Sequence, residues 1–267
     1  MKLEILISCM NQEDTSLVER SCITGDAVMI NQCGRNGQRT AATQRGTVRI
    51  FDETDRGLTK SRNLAIEKAT ADVCMLCDDD ETFVPGYEEK ILGAYEACPQ
   101  ADIIIFKMVN RKPSFQDRIM RLKFPQTMKV SSWQISFRRE SLLRSGVRFD
   151  ELLGAGTGNG AEEELKFLLD AQKAGLRIWY VPEEVAAVSQ GASTWFAGYD
   201  ARFFYNRGAT TRYILGAPLA FAYAIYYVLR KKQLYGENLT AFQAFCAIMR
   251  GMRENKICKQ AKERRNV

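Results

Sequence analysis

Four consecutive acidic residues, Asp78, Asp79, Asp80 and Glu81, directly follow an apolar run over residues 71–77. Such charges at the end of a buried strand repel one another and lose hydration, unless a cation or a solvated turn takes up the charge. The alternate carboxylates of Asp78 and Asp80 can both face one Mg²⁺ or Mn²⁺ ion, which completes its shell with phosphate oxygens and water. The cluster therefore predicts a metal-dependent site for a nucleoside diphosphate. The alternative is a helix N-cap with a solvated turn.

A second acidic cluster, Glu162, Glu163 and Glu164, follows a glycine-rich segment over residues 154–160. Glutamates in the first turn of a helix are stabilised by the helix dipole, so these residues could simply mark a helix start. The glycines favour a second interpretation, because they let the backbone approach a ligand closely. In that case one of the three carboxylates would act as a general base.

The chain has 267 residues, of which 46% are hydrophobic, and a formal net charge of +6. This composition excludes a disordered protein and allows one large α/β domain, or a medium domain with an appendage. The sequence contains no histidine, which excludes Ser-His-Asp and Cys-His catalysis and leaves acid/base work to carboxylates. Cys74 and Cys77 form a C-x-x-C pair without a second pair, so we expect two thiols on a buried strand rather than a zinc site.

The start of the chain, residues 1–10, lacks the basic segment and long apolar core of a signal peptide. We therefore expect a cytoplasmic protein with reduced cysteines. The mild excess of basic residues favours phosphorylated ligands, an anionic membrane surface or nucleic acid, and its sign alone does not choose among them.

Apolar periodicity predicts an α/β fold with a mixed, mostly parallel sheet flanked by helices. The predicted strands cover residues 2–8, 27–31, 47–52, 71–77, 102–106, 133–137, 178–181 and 185–188. The predicted helices cover residues 15–21, 59–69, 86–97, 139–145 and 162–173. Glycine and asparagine predict a turn over residues 32–37. Because ligands bind beyond the carboxyl ends of strands in open α/β sheets, the first acidic cluster lies where a binding site is expected.

The composition changes in the C-terminal part, where residues 213–229 form an uncharged apolar run followed by Arg230, Lys231 and Lys232. The run is slightly short for a membrane span, which needs about 20 residues. Three interpretations remain open: an interfacial or re-entrant membrane helix pair, a buried core or dimer helix, and a true span. We expect a catalytic domain over residues 1–195 and a membrane-associated helical extension over residues 196–267, with a basic tail that anionic lipid would attract.

Several segments of the chain, taken in their order along the sequence, resemble the family 2 inverting glycosyltransferases. These enzymes have the GT-A fold, a Rossmann-like nucleotide-binding sheet with an Asp-x-Asp motif. The resemblance spans roughly residues 3–188. After the first strand, it is carried by Gly57–Ala65 (GLTKSRNLA), Leu76–Asp80 (LCDDD), Gly160–Glu164 (GAEEE) and Ala174–Ile178 (AGLRI). Each piece is a weak signal alone, and their common order makes the signal strong.

The resemblance assigns roles to individual residues of this chain. It implies nucleotide-sugar binding by Asn31, Arg62, Asn63, Asp78 and Asp79. It implies that Asp78 and Asp80 hold Mg²⁺ or Mn²⁺.

Alignment of the helix on Ala174 and Gly175 places Glu164 where the family keeps its catalytic base, with Glu163 beside it. The chain departs from the family here, because a glutamate replaces the usual aspartate, and the identity of the base among the three glutamates stays open. A second departure is Asn31, which stands where many members carry an acid that contacts the nucleotide base. An asparagine can make similar hydrogen bonds, so a uridine nucleotide remains the expected donor.

The implied function is an inverting, metal-dependent transfer of a sugar from a nucleotide-diphosphate sugar, expected to be a UDP-sugar, to a hydroxyl group. In this scheme Arg62 adds positive charge at the diphosphate and Glu164 deprotonates the acceptor. The acceptor would be a glycan or a lipid-linked sugar, as in bacterial surface polysaccharide synthesis, at the cytoplasmic face of the inner membrane.

Three other functional classes are alternatives. A nucleotidyltransferase would have a glycine-rich phosphate loop near the first strand, which residues 8–12 do not offer. A nucleic-acid-binding module could use the basic stretch 111–129, but it leaves both acidic clusters unexplained, so no nucleic acid partner is expected. A non-catalytic scaffold with the same fold is the remaining alternative.

Overall fold

The computed structural model describes residues 1–159, 162–189, 198–236 and 239–265. The chain divides into two compact units, Met1–Phe149 with Glu164–Gly191, and Asp150–Glu163 with Ala192–Val267. The predicted division had a single boundary after residue 195. The structure differs because residues 150–163 also group with the C-terminal helices, through hydrogen bonds such as that from Tyr213 to Asp150.

The first unit contains a ten-stranded mixed sheet. Its strands are β1 (Leu3–Met10), β2 (Ala27–Gln32), β3 (Gly37–Ala42), β4 (Thr47–Glu53), β5 (Val73–Cys77), β6 (Glu81–Phe83), β7 (Ile103–Met108), β8 (Met120–Leu122), β9 (Ile135–Arg138) and β10 (Ile178–Val188). The order across the sheet is β3-β4-β2-β1-β5-β9-β7-β10-β6, and β8 pairs with β10. The pairings give β1, β2, β4, β5, β7 and β10 one common direction, which confirms the predicted mostly parallel sheet.

The helices of this unit are α1 (Ser16–Arg20), α2 (Leu58–Lys68), α3 (Tyr87–Ala97), α4 (Arg139–Ser145) and α5 (Glu163–Lys173), whose first residue is grouped with the second unit. Two apolar clusters form the core of the unit, one around α1 and α3 and the other around α2, α4 and α5. The sheet is thus covered on both faces, which explains why every residue of β5 is apolar and buried.

The structure corrects three details of the predicted elements. The edge strand β3 was missed, because its polar and largely exposed sequence carries no apolar pattern. The strand predicted over residues 133–137 begins at Ile135, and a short 3-10 turn over Ser132–Gln134 precedes it. The two last predicted strands are one strand, β10, whose register with β7 shifts between Val181 and Glu184.

The second unit contains α6 (Ala201–Arg230), α7 (Lys232–Tyr235), α8 (Ala241–Glu254) and α9 (Lys256–Arg265). Helix α6 breaks at Gly216, where φ is 77°, so the apolar run follows a kink. The backbones of α6 and α8 come together at glycines: a Cβ atom on Gly208 would lie 2.1 Å from the carbonyl oxygen of Ile248. Such close approach lets two helices pack without intervening side chains.

One face of the apolar run is buried and another is exposed. Ala220, Ala224 and Val228 join the core of the second unit. Large apolar side chains on α6, α7 and α8 are nevertheless exposed, namely Leu219, Phe221, Ile225, Tyr226, Leu229, Leu234 and Phe242. Among the described residues, α6 is the one helix whose length and composition would allow it to cross a membrane, and 28% of its most apolar window is buried.

Candidate active site

The first acidic cluster lies at the carboxyl edge of the sheet, as predicted. Asp78 directly follows β5, and the pairing of Ile7 with Cys77 places it beside the end of β1. The neighbouring parallel strands end at the same edge, where Asn31 of β2 is paired with Asp52 of β4. Polar side chains from separate strands therefore converge where open α/β sheets bind ligands.

Asp78 is held by two donors from other elements. The Nη2 atom of Arg62 donates to both carboxylate oxygens, at 2.9 Å and 3.1 Å. The hydroxyl group of Ser132 donates to Oδ2 at 3.0 Å. Ser132 belongs to the 3-10 turn before β9, and no spacing rule relates it to Asp78, so the sequence alone does not predict this contact. Both oxygens of Asp78 are thus fixed in orientation.

Arg62 is 1% exposed, although it carries a full positive charge. Its guanidinium lies over the ring of Phe149, 5.4 Å from the ring centre, and Phe149 stacks on Phe167. The helix start that carries Arg62 is anchored by Gln32, whose side-chain amide bonds to the backbone N–H and C=O of Gly57. The arginine is therefore a rigid positive charge at the end of the sheet.

The same arginine reaches the second acidic cluster. Its Nη1 atom lies 4.0 Å from a carboxylate oxygen of Glu164, whose side chain is 19% exposed. One buried arginine thus stands between the two acidic clusters that the sequence singled out. The structure therefore brings Asp78, Arg62 and Glu164 together, and the catalytic role of Glu164 stays a prediction.

The three adjacent glutamates have different surroundings. Glu163 is buried. Glu162 has a positive φ of 73° and accepts a hydrogen bond from Arg207 of α6, within the second unit. Arg207 also donates to the hydroxyl of Tyr223 at 2.8 Å. Glu164 is the glutamate placed beside Arg62 in the first unit.

Asp79 and Asp80 are exposed next to Asp78. The surrounding protein withdraws water from each carboxyl, and the charge of Asp78 adds to this, so the pKa values of Asp79 and Asp80 are raised. Burial, followed by the charge of Asp78, also raises the pKa of Glu81 well above its usual value. This accumulated negative charge is what a bound cation would relieve.

The described residues contain no cluster of three or more Asp, Glu, Cys or His side chains arranged to hold a metal ion. Mg²⁺ is commonly held by one or two carboxylates together with substrate phosphates, so the exposed carboxylate of Asp80 fits this mode. Asp78 fits it less well, because both its oxygens already accept hydrogen bonds from Arg62 and Ser132. The backbone oxygen of Asp80 accepts a hydrogen bond from the backbone N–H of Ser189, at 2.8 Å.

At the other end of the edge, Asn31 is fully buried, and its side-chain amide bonds to the backbone of Gln12 in both directions at 2.8 Å. Its second amide hydrogen goes to Asp52 at 2.7 Å. Asp52 also accepts from Arg39 at 2.7 Å. An acid therefore lies beside Asn31 after all, supplied by the neighbouring strand. Asp52 is not among the predicted site residues, although its position at the end of a predicted strand was a usable signal.

Asn63 is placed differently from the rest of the predicted set. Its side-chain amide donates to the backbone oxygen of Phe149 at 2.9 Å and accepts from the backbone N–H of the same residue at 2.8 Å. Asn63 therefore ties α2 to the segment that carries Phe149, the ring beneath Arg62.

Comparison with known proteins adds to this geometry. Residues 36–150 match the family model described as "Glycosyl transferase family 2". No curated protein sequence matches the chain significantly.

Solved structures with a similar fold include crystal structures of S. aureus TarS. For TarS 1-349 in complex with UDP-GlcNAc the TM-score is 0.56 at 16% identity, over 82% of this chain and 68% of the other. For TarS 1-349 the TM-score is 0.51 at 14% identity, over 82% of this chain and 66% of the other. For its complex with UDP the TM-score is 0.52 at 15% identity, over 79% and 65%. The chain thus spans about two thirds of the length of these structures. Residues 36–150, less than half of the chain, are thus similar to glycosyl transferase family 2, and the chain has the GT-A fold.

Proposed function

We propose that the protein is an inverting glycosyltransferase that moves a sugar from a UDP-sugar to a hydroxyl group of an acceptor. The observation that carries this proposal is the position of Arg62, which donates to Asp78 and lies 4.0 Å from Glu164. Asp78, the expected nucleotide-binding acid, and Glu164, the candidate base, thus lie next to the same positive charge. The family match and the fold shared with a UDP-GlcNAc complex of TarS support a nucleotide-sugar donor.

The donor would occupy the carboxyl edge of the sheet. Asp52 and the loop held by Asn31 would face the uracil and ribose, and Asp78 with Asp79 would face the ribose and diphosphate. Asp80 would hold Mg²⁺ or Mn²⁺, and this ion would neutralise charge on the diphosphate. Arg62 adds a fixed positive charge whose orientation is set before the substrate arrives.

The acceptor hydroxyl would lose its proton to Glu164. Its carboxylate is partly exposed, whereas Glu163 is buried and Glu162 is bound to Arg207. A base that takes the proton as the hydroxyl attacks the anomeric carbon gives direct displacement and an inverted product. The longer glutamate arm, in place of an aspartate, moves the carboxylate about one methylene further from the backbone.

We further propose that the second unit attaches the protein peripherally to an anionic membrane, where a lipid-linked sugar would be the acceptor. Leu229 is 71% exposed and directly precedes the basic residues Arg230, Lys231 and Lys232. Phe242, at the start of α8, is 76% exposed. Exposed apolar side chains with flanking cations are typical of helices that lie in a membrane interface. Because α6 breaks at Gly216 and part of its apolar face packs against α8, an interfacial position fits better than a span.

The donor assignment is tested by calorimetric titration of UDP and GDP into the purified chain, with and without Mn²⁺. Wild type should bind UDP in a metal-dependent manner, and Asp80→Ala should lose that dependence. Absence of binding by either nucleotide, under all conditions, would contradict the proposal and favour a non-catalytic scaffold.

A further inference from the structure

A cavity of about 60 Å³ lies in the first unit, outside the donor residues described above. It is lined by the last residues of β7, the segments after β7 and before β9, and one residue of β10. The residues that matter for its chemistry are Lys107, Arg111, Lys112, Lys129, Trp133 and Tyr180.

Positive charge is concentrated around this cavity. Lys107 is balanced by Glu184 at 3.2 Å and Asp117 at 3.7 Å. Arg111, Lys112 and Lys129 are exposed, and no acid of the described residues lies within ion-pair distance of them. The charge of Arg111 also acts on the carboxyl of Asp80, whereas the described residues place no acid against Lys112 or Lys129. Positive charge in excess of negative charge at a concave surface creates a field that attracts anions.

The walls of the cavity add fixed recognition groups. The guanidinium of Arg111 lies over the ring of Trp133, 5.4 Å from the ring centre, which restricts its orientation. Tyr180 is 1% exposed, and its buried hydroxyl has no hydrogen-bond partner within the described ranges of the chain. A buried hydroxyl without a partner is unfavourable, so a ligand that accepted its hydrogen bond would be stabilised.

The cavity is directly linked to the donor site. The 3-10 turn before β9 has Ser132 bonded to Asp78 at 3.0 Å, while its neighbours Ser131, Trp133 and Gln134 line the cavity. The turn is rigid, because Gln134 accepts from the backbone of Ser131 and donates to the oxygen of Phe106 at 2.8 Å. One short segment therefore has the donor site on one side and the cationic cavity on the other.

We propose that this cavity binds a phosphate or pyrophosphate group carried by the acceptor, so that the acceptor is an anionic, phosphate-bearing molecule. The lysines would contact the phosphate oxygens as point charges, and Arg111 would present a planar set of donors. The assignment of the bound group to an acceptor rests on the proposed glycosyl transfer, whereas the anion site itself does not.

The test titrates inorganic pyrophosphate into protein already saturated with UDP, with Mn²⁺ kept in excess over UDP and pyrophosphate together because pyrophosphate chelates the ion. Wild type should bind pyrophosphate under these conditions, since the donor site is filled. The double variant Lys112→Gln/Lys129→Gln should bind it at least about tenfold more weakly, because a charged hydrogen-bond partner is lost at each position. Its affinity for UDP should be unchanged.

A matched control removes the same charge elsewhere. Lys123 and Lys173 are exposed and do not line the cavity. Lys123→Gln/Lys173→Gln should therefore bind pyrophosphate as wild type does. Equal loss in both double variants would show a non-specific charge effect and overturn the inference, as would complete competition between pyrophosphate and UDP in wild type.

A second comparison separates an acceptor group from a free ion. Glucose 1-phosphate and inorganic phosphate each carry one phosphate, so an acceptor site beside the donor should bind the sugar phosphate at least as tightly. Weaker binding of the sugar phosphate would assign the cavity to a free anion and overturn the acceptor role. If UDP fails to bind wild type while pyrophosphate binding still needs Lys112 and Lys129, the proposed function fails and the anion site stands.

Discussion

Arg62 donates to both oxygens of Asp78 from a position that is 1% exposed, so the first acid of the cluster is paired with a buried cation before any ligand binds. A buried ion pair is costly to break, because the remaining charge stays in a poorly solvated place. The same guanidinium lies beside Glu164. Substitution of Arg62 should therefore lower the stability of the fold and also change the positions of the Asp78 and Glu164 carboxylates.

Arg62→Lys should weaken UDP binding and lower the melting temperature, even though the charge is kept. A lysine ammonium is a compact point charge that cannot reproduce the guanidinium geometry between Asp78 and Glu164 or its stacking on Phe149. Loss of one buried partner costs roughly 3–5 kcal/mol when the charge is removed entirely, so Arg62→Ala should be the more severe change. UDP titration and thermal unfolding measure the two effects.

The exposed Arg56 provides the control for this substitution. Arg56→Lys should leave both UDP affinity and melting temperature within error of wild type. If Arg62→Lys bound UDP as tightly as wild type and were equally stable, the arginine would be needed only as a positive charge. The geometry of its guanidinium between Asp78 and Glu164 would then not matter.

The sequence predicted the place of the site better than its internal contacts. Asp78–Glu81 was placed at the carboxyl edge because a buried apolar strand precedes it and parallel strands end together. Ser132 and Asp52 were missed, because each reaches its partner through the sheet from a distant part of the chain. Such proximity depends on strand order, and the antiparallel insertion of β9 between β5 and β7 has no local sequence signal.

Metal dependence should be carried by Asp80 more than by Asp79. The pKa values of both carboxyls are raised by partial loss of hydration and by the charge of Asp78, and an ion bound there would relieve that repulsion. Asp80→Asn should therefore reduce the Mn²⁺-dependent part of UDP affinity by at least about tenfold. Asp79→Asn should leave a clear response to Mn²⁺. Calorimetry at matched nucleotide concentration, with and without Mn²⁺, measures both, and the reverse order of effects would contradict the assignment of Asp80.

Asp52 gives a prediction about stability and pH. Burial opposes its ionisation, yet the hydrogen bond from Asn31 and the charge of Arg39 hold the pKa of Asp52 below its usual value. A lowered folded-state pKa adds stability above the unfolded pKa, about 3.9, and this stability is lost as the pH falls through the folded pKa. Asp52→Asn should lower the free energy of unfolding at pH 7 by roughly 1–3 kcal/mol, and the difference should shrink as the pH falls below the unfolded pKa of about 3.9.

Denaturant unfolding of wild type and variant between pH 3 and pH 7 tests this expectation. The exposed Asp55 serves as the comparison, because its ion pair with Lys60 lies at the surface and contributes little. Asp55→Asn should be nearly neutral at every pH. A constant difference between wild type and Asp52→Asn down to pH 3 would show that the carboxylate charge is not what stabilises this network.

Membrane attachment should depend on the exposed apolar side chains of the second unit. Leu229→Glu and Phe242→Glu should each reduce sedimentation of the protein with vesicles that contain anionic lipid, because each places a charge where an apolar group would be buried in the interface. Leu143, which is exposed in the first unit, provides the control as Leu143→Glu. Vesicles of neutral lipid should retain less protein than anionic ones, since the basic residues 230–232 add attraction. Equal sedimentation of all variants would contradict peripheral attachment by this face.

The identity of the base can be tested without knowledge of the acceptor, because hydrolysis of a UDP-sugar by water also needs a proton acceptor. Glu164→Gln keeps the size of the side chain and removes its basicity, so it should lower kcat for UDP release by about 10²–10⁴ with little change in UDP affinity. Glu162→Gln should affect kcat much less, because the carboxylate of Glu162 is already bound to Arg207.

Glu163 separates the catalytic and structural explanations. Its side chain is buried, so Glu163→Gln should act mainly on the melting temperature. A large loss of kcat in Glu163→Gln, with Glu164→Gln near wild type, would move the base to Glu163. The assignment of Glu164 as the base would then be wrong, because it relies on the 4.0 Å distance between Arg62 and Glu164. Equal loss in all three variants would instead indicate that the glutamates act through the fold of the helix start rather than through one proton acceptor.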